Sequence, residues 1–330
     1  MKILGIETSC DETGAAVVED GRVLLSNVVV SQAHLHGRYG GVVPEVAARQ
    51  HLEALLPVID AALREARCTP KDIDVVAVTI GPGLPGSLLV GVNVAKALAY
   101  TWGLPLVAIN HLEAHVYANW LVEGFSPQLP ALCLVVSGGH TELAIMEGHG
   151  RFSSLGRTVD DAAGEAFDKV ARILGLGFPG GPAIEAKAKE CPSPSLRLPR
   201  ARLKGPFDFS FSGIKTHVAR LVQGAYGPPP PVEEIACAFQ DAVVEALVEK
   251  VVKACRHADV AQILLAGGVA ANAHLRQALA QRAPCHVCWP PANLCTDNGA
   301  MVAACAYYRL TELAEKASLD VDVQPSLMLG

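Results

Sequence analysis

One order of apolar runs, met twice along the chain, constrains the fold more than any other feature of this sequence. Residues 2–9, 14–19 and 22–31 run or alternate apolar and are broken at Cys10-Asp-Glu-Thr-Gly14 and Asp20-Gly21, the pattern of three strands joined by turns. Helical spacing follows over 44–66, a buried-strand run over 74–80, a helix over 87–102, a strand over 105–110 and a further helix opening at His111. The order is βββαβαβα. It returns with strands over 131–137, 141–146 and 152–156, helices over 160–174 and 232–257 and a strand over 263–266; a helix after Asn272, a short strand over 286–289 and a last helix over 297–310 complete it. Two passes of one topology, with little sequence identity between them, predict an α/β protein of two duplicated ribonuclease-H-like halves closing on a central cleft. The first half is expected over 1–128, with the C-terminal segment 297–330 packing on it. The second covers 129–296 and carries an insertion, rich in Pro, Arg and Ser, over about 191–230.

A chain of 330 residues has room for two such cores. It is 51% hydrophobic, yet no apolar run reaches the roughly 18 to 20 residues of a membrane span. Glu7 ends the first apolar run well short of a signal-peptide core. A soluble, cytoplasmic protein with no membrane partner is expected. The cysteines are scattered among Ala, Val and Leu and are read as reduced core thiols. Cys285-His-Val-Cys288 has half of a zinc-knuckle spacing without a second pair, so it is read as a buried strand and assigned no metal.

Chemistry concentrates at His111-Leu-Glu-Ala-His115. On an α-helix these imidazoles sit about 40° apart around the axis, close enough to share a metal ion. The spacing is that of the zinc proteases, but their glutamate follows the first histidine directly, and here that place is Leu112. Glu113 lies roughly 200° around the helix and points away from any such ion. Carboxylates occur at Asp160-Asp161, Asp168 and Asp297. An aspartate heading the final helix is by default an N-cap. As a third ligand, Asp297 would complete a set of two histidines and one carboxylate, which suits non-haem Fe(II), with zinc as the rival.

Glycine turns follow apolar strands at Gly81-Pro-Gly83, Ser137-Gly138-Gly139 and Gly267-Gly268, where main-chain N–H groups can approach a ligand phosphate. Together they favour a nucleotide site. No Walker or dinucleotide fingerprint is present in the sequence.

With these motifs assembled, the chain resembles the tRNA N6-adenosine threonylcarbamoyltransferase family of the bacterial TsaD type, once described as glycoproteases. The resemblance runs nearly end to end. It is carried by Gly5-Ile-Glu-Thr-Ser-Cys-Asp-Glu-Thr13, Gly81-Pro-Gly-Leu-Pro-Gly86, Asn110-His-Leu-Glu-Ala-His115 and Val136-Ser-Gly-Gly-His-Thr141. Asp160-Asp-Ala-Ala-Gly-Glu-Ala-Phe-Asp-Lys169, Phe207-Asp-Phe-Ser-Phe-Ser-Gly213 and Gly267-Gly-Val-Ala-Ala-Asn272 continue it. The resemblance implies the actin-like ATPase architecture of sugar kinases and Hsp70. It implies transfer of threonylcarbamoyl from threonylcarbamoyl-AMP to N6 of adenosine 37 in tRNAs reading codons that begin with A. By the same resemblance His111, His115 and Asp297 bind iron, while Val135, Val136, Ser137, Gly138, Gly139, Asp168, Gly181 and Asn272 hold the adenylate. Glu185 stands where many relatives carry aspartate and is assigned a substrate contact. The Ser9-Cys10-Asp11 form of the first turn resembles the bacterial branch, which implies TsaB and TsaE as partners and a separate synthase for the adenylate. Position alone makes Asp11 and Glu12 candidates for the general base.

Two other readings share the fold: an ATP-binding regulatory protein and a small-molecule kinase. Neither has a use for two histidines and a carboxylate converging on a transition metal. A net charge of −6 makes no global case for nucleic acid, so a polyanion has to be met locally. Arg200, Arg202 and Lys204, in the basic run of the insertion, are the candidate tRNA contacts.

Overall fold

The computed structural model describes residues 1–201 and 203–330, and it divides into two compact units. The first comprises Met1–Pro127, Met146–Phe152 and Pro290–Gly330, and the second Gln128–Ile145 and Ser153–Trp289.

The first unit opens with β1 (Lys2–Glu7), β2 (Glu12–Glu19) and β3 (Val23–Ser31), followed by the short α1 (Ala33–His36) and the long α2 (Pro44–Glu65). Next come β4 (Val75–Gly81), α3 (Pro85–Trp102), β5 (Leu106–Asn110) and α4 (His111–Tyr117). The sheet order is β3-β2-β1-β4-β5, antiparallel across β1, β2 and β3 and parallel across β1, β4 and β5. Every residue of β4 is buried, as expected of a parallel strand covered on both faces. Leu4, Ile6, Val76 and Val78 belong to one core cluster with Leu55 of α2 and Val92 of α3. Both of these helices open with proline, which suits the first helical position, where no N–H partner is needed.

The second unit is built on β6 (Ala131–Val136) and the greater part of β7 (Thr141–Gly148) and β8 (Arg151–Arg157), whose joining ends fall in the first unit, then α5 (Ala163–Ile173), α6 (Gly180–Ala188), α7 (Ser212–Val222) and α8 (Val232–Cys255). It continues through β9 (Gln262–Ala266), α9 (Ala273–Arg282) and β10 (His286–Cys288). Its sheet runs β10-β9-β6-β7-β8, with β9 parallel to both β6 and β10. Taken from the other edge this is the order of the first sheet, so the expected ribonuclease-H-like duplication is present. Phe167 of α5 meets Phe239 of α8 edge to face at 5.2 Å in the core. The chain ends with α10 (Ala292–Cys295) and α11 (Gly299–Leu313). Among the described residues no helix is long and apolar enough to cross a membrane.

Two helices go beyond the sequence expectation. α6 begins in Gly180-Gly181-Pro182, a run that reads as turn. α7 lies inside the Pro-rich insertion, where Ile214, Val218 and Leu221 bury one face at helical spacing.

The packing of α11 on β1 positions the site described next. A Cβ on Gly5 would lie 2.2 Å from the carbonyl oxygen of Gly299, and one on Gly299 would lie 2.6 Å from both Ala16 N and Gly5 O. Only a pair of glycines allows the first turn of α11 to rest on the sheet at this distance.

Candidate active site

Asn110 ends β5 and caps α4, its side-chain oxygen accepting from the N–H groups of Leu112 and Glu113. Its amide nitrogen donates to Met328 O at 2.7 Å. Because the cap fixes where the helix starts, His111 falls at its first position and His115 one turn later, with ring centroids 4.6 Å apart. All seven residues of α4 are buried, so this helix is held by tertiary packing rather than by length.

Asp297 comes to the same place from the far end of the chain. Its Oδ1 is 3.1 Å from His115 Nε2 and 3.5 Å from His111 Nε2, and ligand atoms of the three residues all lie within 4.8 Å of one another. Asp297 is not the helix cap that its position in sequence suggests. Asn298 fills that role, accepting from Met301 N at 3.0 Å.

The donor set fits a divalent ion. His115 is fully buried, yet among the described residues neither of its ring nitrogens makes a hydrogen bond, and buried polar atoms are rarely left so. His111 has Nδ1 3.0 Å from Glu7 Oε2 and 3.2 Å from Ser9 Oγ, so Nε2 is the nitrogen turned to Asp297. In the protein alone, burial pulls His111 down, but the carboxylates of Asp297 and Glu7 outweigh it and push the imidazole up to about 9. A metal therefore competes with a proton for this site. Glu113 pairs with Arg309 of α11 through contacts of 2.5 and 2.6 Å, which ties α4 to α11 and takes that carboxylate out of the chemistry.

Asp11 is buried in the first unit, beside Glu12 in sequence. Burial, with Asp297 and Asp11 alongside, pushes the Glu12 carboxyl well above the usual carboxylate range. The Gly81-Pro-Gly83 turn, expected to face a phosphate, is instead filled by protein. Gly83 N donates to Pro325 O, Gln324 N donates to Ile80 O, and a Cβ on Gly81 would lie 1.8 Å from Gln324 O.

In the second unit the Gly138-Gly139 turn is open, and so is Gly268, while Gly267 packs on the Val136 backbone. A Cβ at Gly138, Gly139, Gly181 or Gly268 would meet nothing within 4 Å. Val135 and Val136 end β6 fully buried, and Ser137 O accepts from Gly164 N at 3.1 Å, which fixes the loop on the start of α5. Asp168 Oδ1 accepts from Gly180 N at 2.7 Å. Asn272 caps α9, accepting from Leu275 N and donating to Gln240 Oε1 at 2.9 Å. Glu185 reaches Asn272 Nδ2 and Ala273 N at 3.4 Å each. The residues assigned to the adenylate thus gather where parallel β6 and β9 end and α5, α6 and α9 begin, which is where anions bind in α/β folds.

Asp160 and Asp161 do not join the metal donors. Asp160 accepts from Phe211 N, Ser212 N and Ser210 Oγ at the start of α7. Asp161 pairs with Lys169 at 2.9 Å and Lys215 at 2.6 Å. These contacts anchor the insertion. Of the basic run, Arg200 is half-exposed and meets Glu249 at 3.0 Å and Glu245 at 3.6 Å, Lys204 is exposed, and Arg202 lies outside the described residues.

Glu7, Thr79 and Gln240 support the site residues and carry no assignment from sequence. A lone carboxylate at the end of the apolar strand 2–7 was the available signal for Glu7. Gln240 sits among Ala and Phe in the middle of α8 and gave none.

A family model described as tRNA N6-adenosine threonylcarbamoyltransferase matches residues 23–304. Relatives bearing that name include one from Thermomicrobium roseum, 54% identical over 100% of this chain and 97% of its own length. Another, from Dehalococcoides mccartyi, is 56% identical over 99% of both. Among solved structures, full-length HypF in its phosphate- and nucleotide-bound form is similar over 95% of this chain and 47% of its own, with a TM-score of 0.61 at 13% identity. That likeness is one of fold.

Proposed function

The chain belongs to the tRNA N6-adenosine threonylcarbamoyltransferase family, and on that premise we propose its reaction and the residues that carry it. It is an acyltransferase that forms N6-threonylcarbamoyladenosine in tRNA. The acceptor we assign is adenosine 37 of tRNAs reading codons that begin with A, and the donor is threonylcarbamoyl-AMP.

In the first unit His111, His115 and Asp297 would hold Fe(II), which a set of two imidazoles and one carboxylate suits, with zinc as the rival. Bound there, the ion would supply a Lewis acid. In the second unit the open amides at Gly138-Gly139 and Gly268 receive the phosphate, and Val135, Val136, Ser137, Asp168, Gly181, Glu185 and Asn272 form the rest of the adenylate site. The nucleotide-bound HypF structure supports an ATP-type nucleotide in this fold.

The exocyclic amine attacks the carbamoyl carbon of the mixed anhydride, the bond from that carbon to the phosphate oxygen breaks, and AMP leaves. The proton lost by the amine passes to a carboxylate, for which Asp11 and Glu12 are the candidates. An anticodon loop presents the amine, because its bases unstack more readily than those of a duplex. TsaB and TsaE are the partners of this reading, and the cytoplasm, where tRNA is modified, is its setting.

The observation that carries the proposal is the convergence of His111, His115 and Asp297 in a chain of this family. The test is to incubate the metal-loaded protein with TsaB, TsaE, ATP, threonylcarbamoyl-AMP and unmodified tRNA, then weigh the nucleosides. Appearance of the threonylcarbamoyl mass at adenosine 37, lost on metal removal, supports it. Full transfer by metal-stripped protein overturns the metal assignment.

A further inference from the structure

Glu7 has no role in the reaction as described, yet its surroundings are specific. It closes β1 and is fully buried. Oε1 accepts from Ser9 N at 2.6 Å, and Oε2 accepts from the Thr79 hydroxyl at 2.6 Å while facing His111 Nδ1 at 3.0 Å. A buried carboxylate is costly unless it is well hydrogen-bonded, and an apolar side chain would fill the volume without that cost. Glu7 therefore needs a reason beyond packing.

We propose that Glu7 is a positioning residue for the metal centre: it holds the proton of His111 on Nδ1, so that the Nε2 lone pair is directed at the ion shared with His115 and Asp297. The inference rests on the metal reading above.

A histidine carries its proton on the nitrogen that faces an acceptor. Ser9 Oγ, 3.2 Å from the same Nδ1, can donate or accept and sets nothing. The carboxylate can only accept, and so it decides the tautomer. The frame is rigid: β1 and β4 pair in parallel with Ile6 opposite Val78, so Glu7 and Thr79 follow on neighbouring strands, and Asn110 fixes the start of α4. Partners of this kind behind a ligating histidine orient the ring and raise its basicity.

Glu7→Gln tests it. The amide oxygen is needed by Ser9 N–H, so the amide nitrogen faces Nδ1 as a donor and drives the ring proton to Nε2. Metal-free full-length protein is titrated with Co²⁺, whose visible absorption reports binding, and histidine side-chain ¹⁵N shifts report the tautomer. Wild type is expected to bind Co²⁺ with His111 protonated on Nδ1. Glu7→Gln is expected to bind about 10- to 100-fold more weakly, with the proton moved to Nε2. If that variant does not fold, Thr79→Val, which removes one donor to Oε2 and keeps the shape, is expected to weaken Co²⁺ binding severalfold. Affinity within about twofold of wild type in a folded variant overturns the proposal, since partners of this kind are worth at least tenfold. A proton on Nε2, rather than Nδ1, of His111 in the Co²⁺-loaded wild type also overturns it. Failure of the wild type to take up Co²⁺ better than His115→Ala removes the metal centre itself, and the proposal with it.

Discussion

At position 115 an imidazole is shut away from solvent, with Nε2 3.1 Å from Asp297 Oδ1 and no hydrogen bond to either ring nitrogen among the described residues. Its worth lies in what it binds. His115→Ala or His111→Ala is expected to abolish metal retention and transfer and to leave the chain folded, since the first change also removes two unsatisfied buried atoms. Metal analysis and thermal melting of the purified variants check this, and full metal occupancy in both would refute the ligand set. Metal-dependent proteolysis is expected to be absent. Leu112 occupies the place where a zinc protease needs its base, and Glu113 is tied to Arg309. Cleavage that copurifies with the protein and vanishes in His115→Ala would contradict that. The two histidines were legible from their spacing, but Glu7 was not. Its partner His111 lies 104 residues away, and only the pairing of β1 with β4 and β4 with β5 brings the ends of these strands together.

The helices differ in how clearly the sequence announces them. α4 is short and wholly buried, and its existence was read from the i, i+4 imidazoles after the strand over 105–110, while its cap at Asn110 came from the structure. α7 carries an equally regular apolar face, but its flanks of Pro, Ser and Gly mask it, and its start is stabilised by Asp160 from 50 residues earlier. At α11 an aspartate at 297 is by default a cap, the alternative to its reading as a ligand, and the structure uses Asn298 as the cap. Both side chains suit the role, so choosing between them required knowing where the first turn rests on β1. That approach predicts the effect of Gly299→Ala. The added methyl would press on Gly5 O and Ala16 N, so α11 must lift. A loss of about 1–3 kcal/mol is expected from such overpacking, together with weaker metal binding as Asp297 shifts. Denaturant unfolding and metal titration of the same variant measure both, and wild-type values for each would show the approach to be loose.

For the molecule as a whole, charge is the least direct pointer to function. The chain is acidic, with a net charge of −6, yet its substrate is a polyanion, so binding has to be local and salt-dependent. The basic run of the insertion is the region we assign to it, with Arg200 already paired to Glu245 and Glu249. Pairs this exposed are worth about 0–1 kcal/mol, so a phosphate can displace them. Replacing Arg200, Arg202 and Lys204 by alanine is expected to weaken tRNA binding and to leave affinity for the adenylate unchanged. The slope of log affinity against log salt is expected to fall by about one for each of these cations that meets a phosphate. Unaltered slope and affinity would move the footprint to another surface.

Local order determined what the sequence could reveal. Apolar periodicity is set within a few residues, so the twofold recurrence of βββαβαβα, the strand-end glycines and the paired histidines were all visible in the chain itself. What depends on distant segments meeting was decided only by the tertiary structure. The C-terminal residues 324 and 325 fill the Gly81-Pro-Gly83 turn and leave the turns at Gly138-Gly139 and Gly268 open, although all three look alike in sequence. Asn298 rather than Asp297 caps α11, and Glu7 stands behind His111, because sheet order and the Gly5–Gly299 approach set distances that no local pattern encodes.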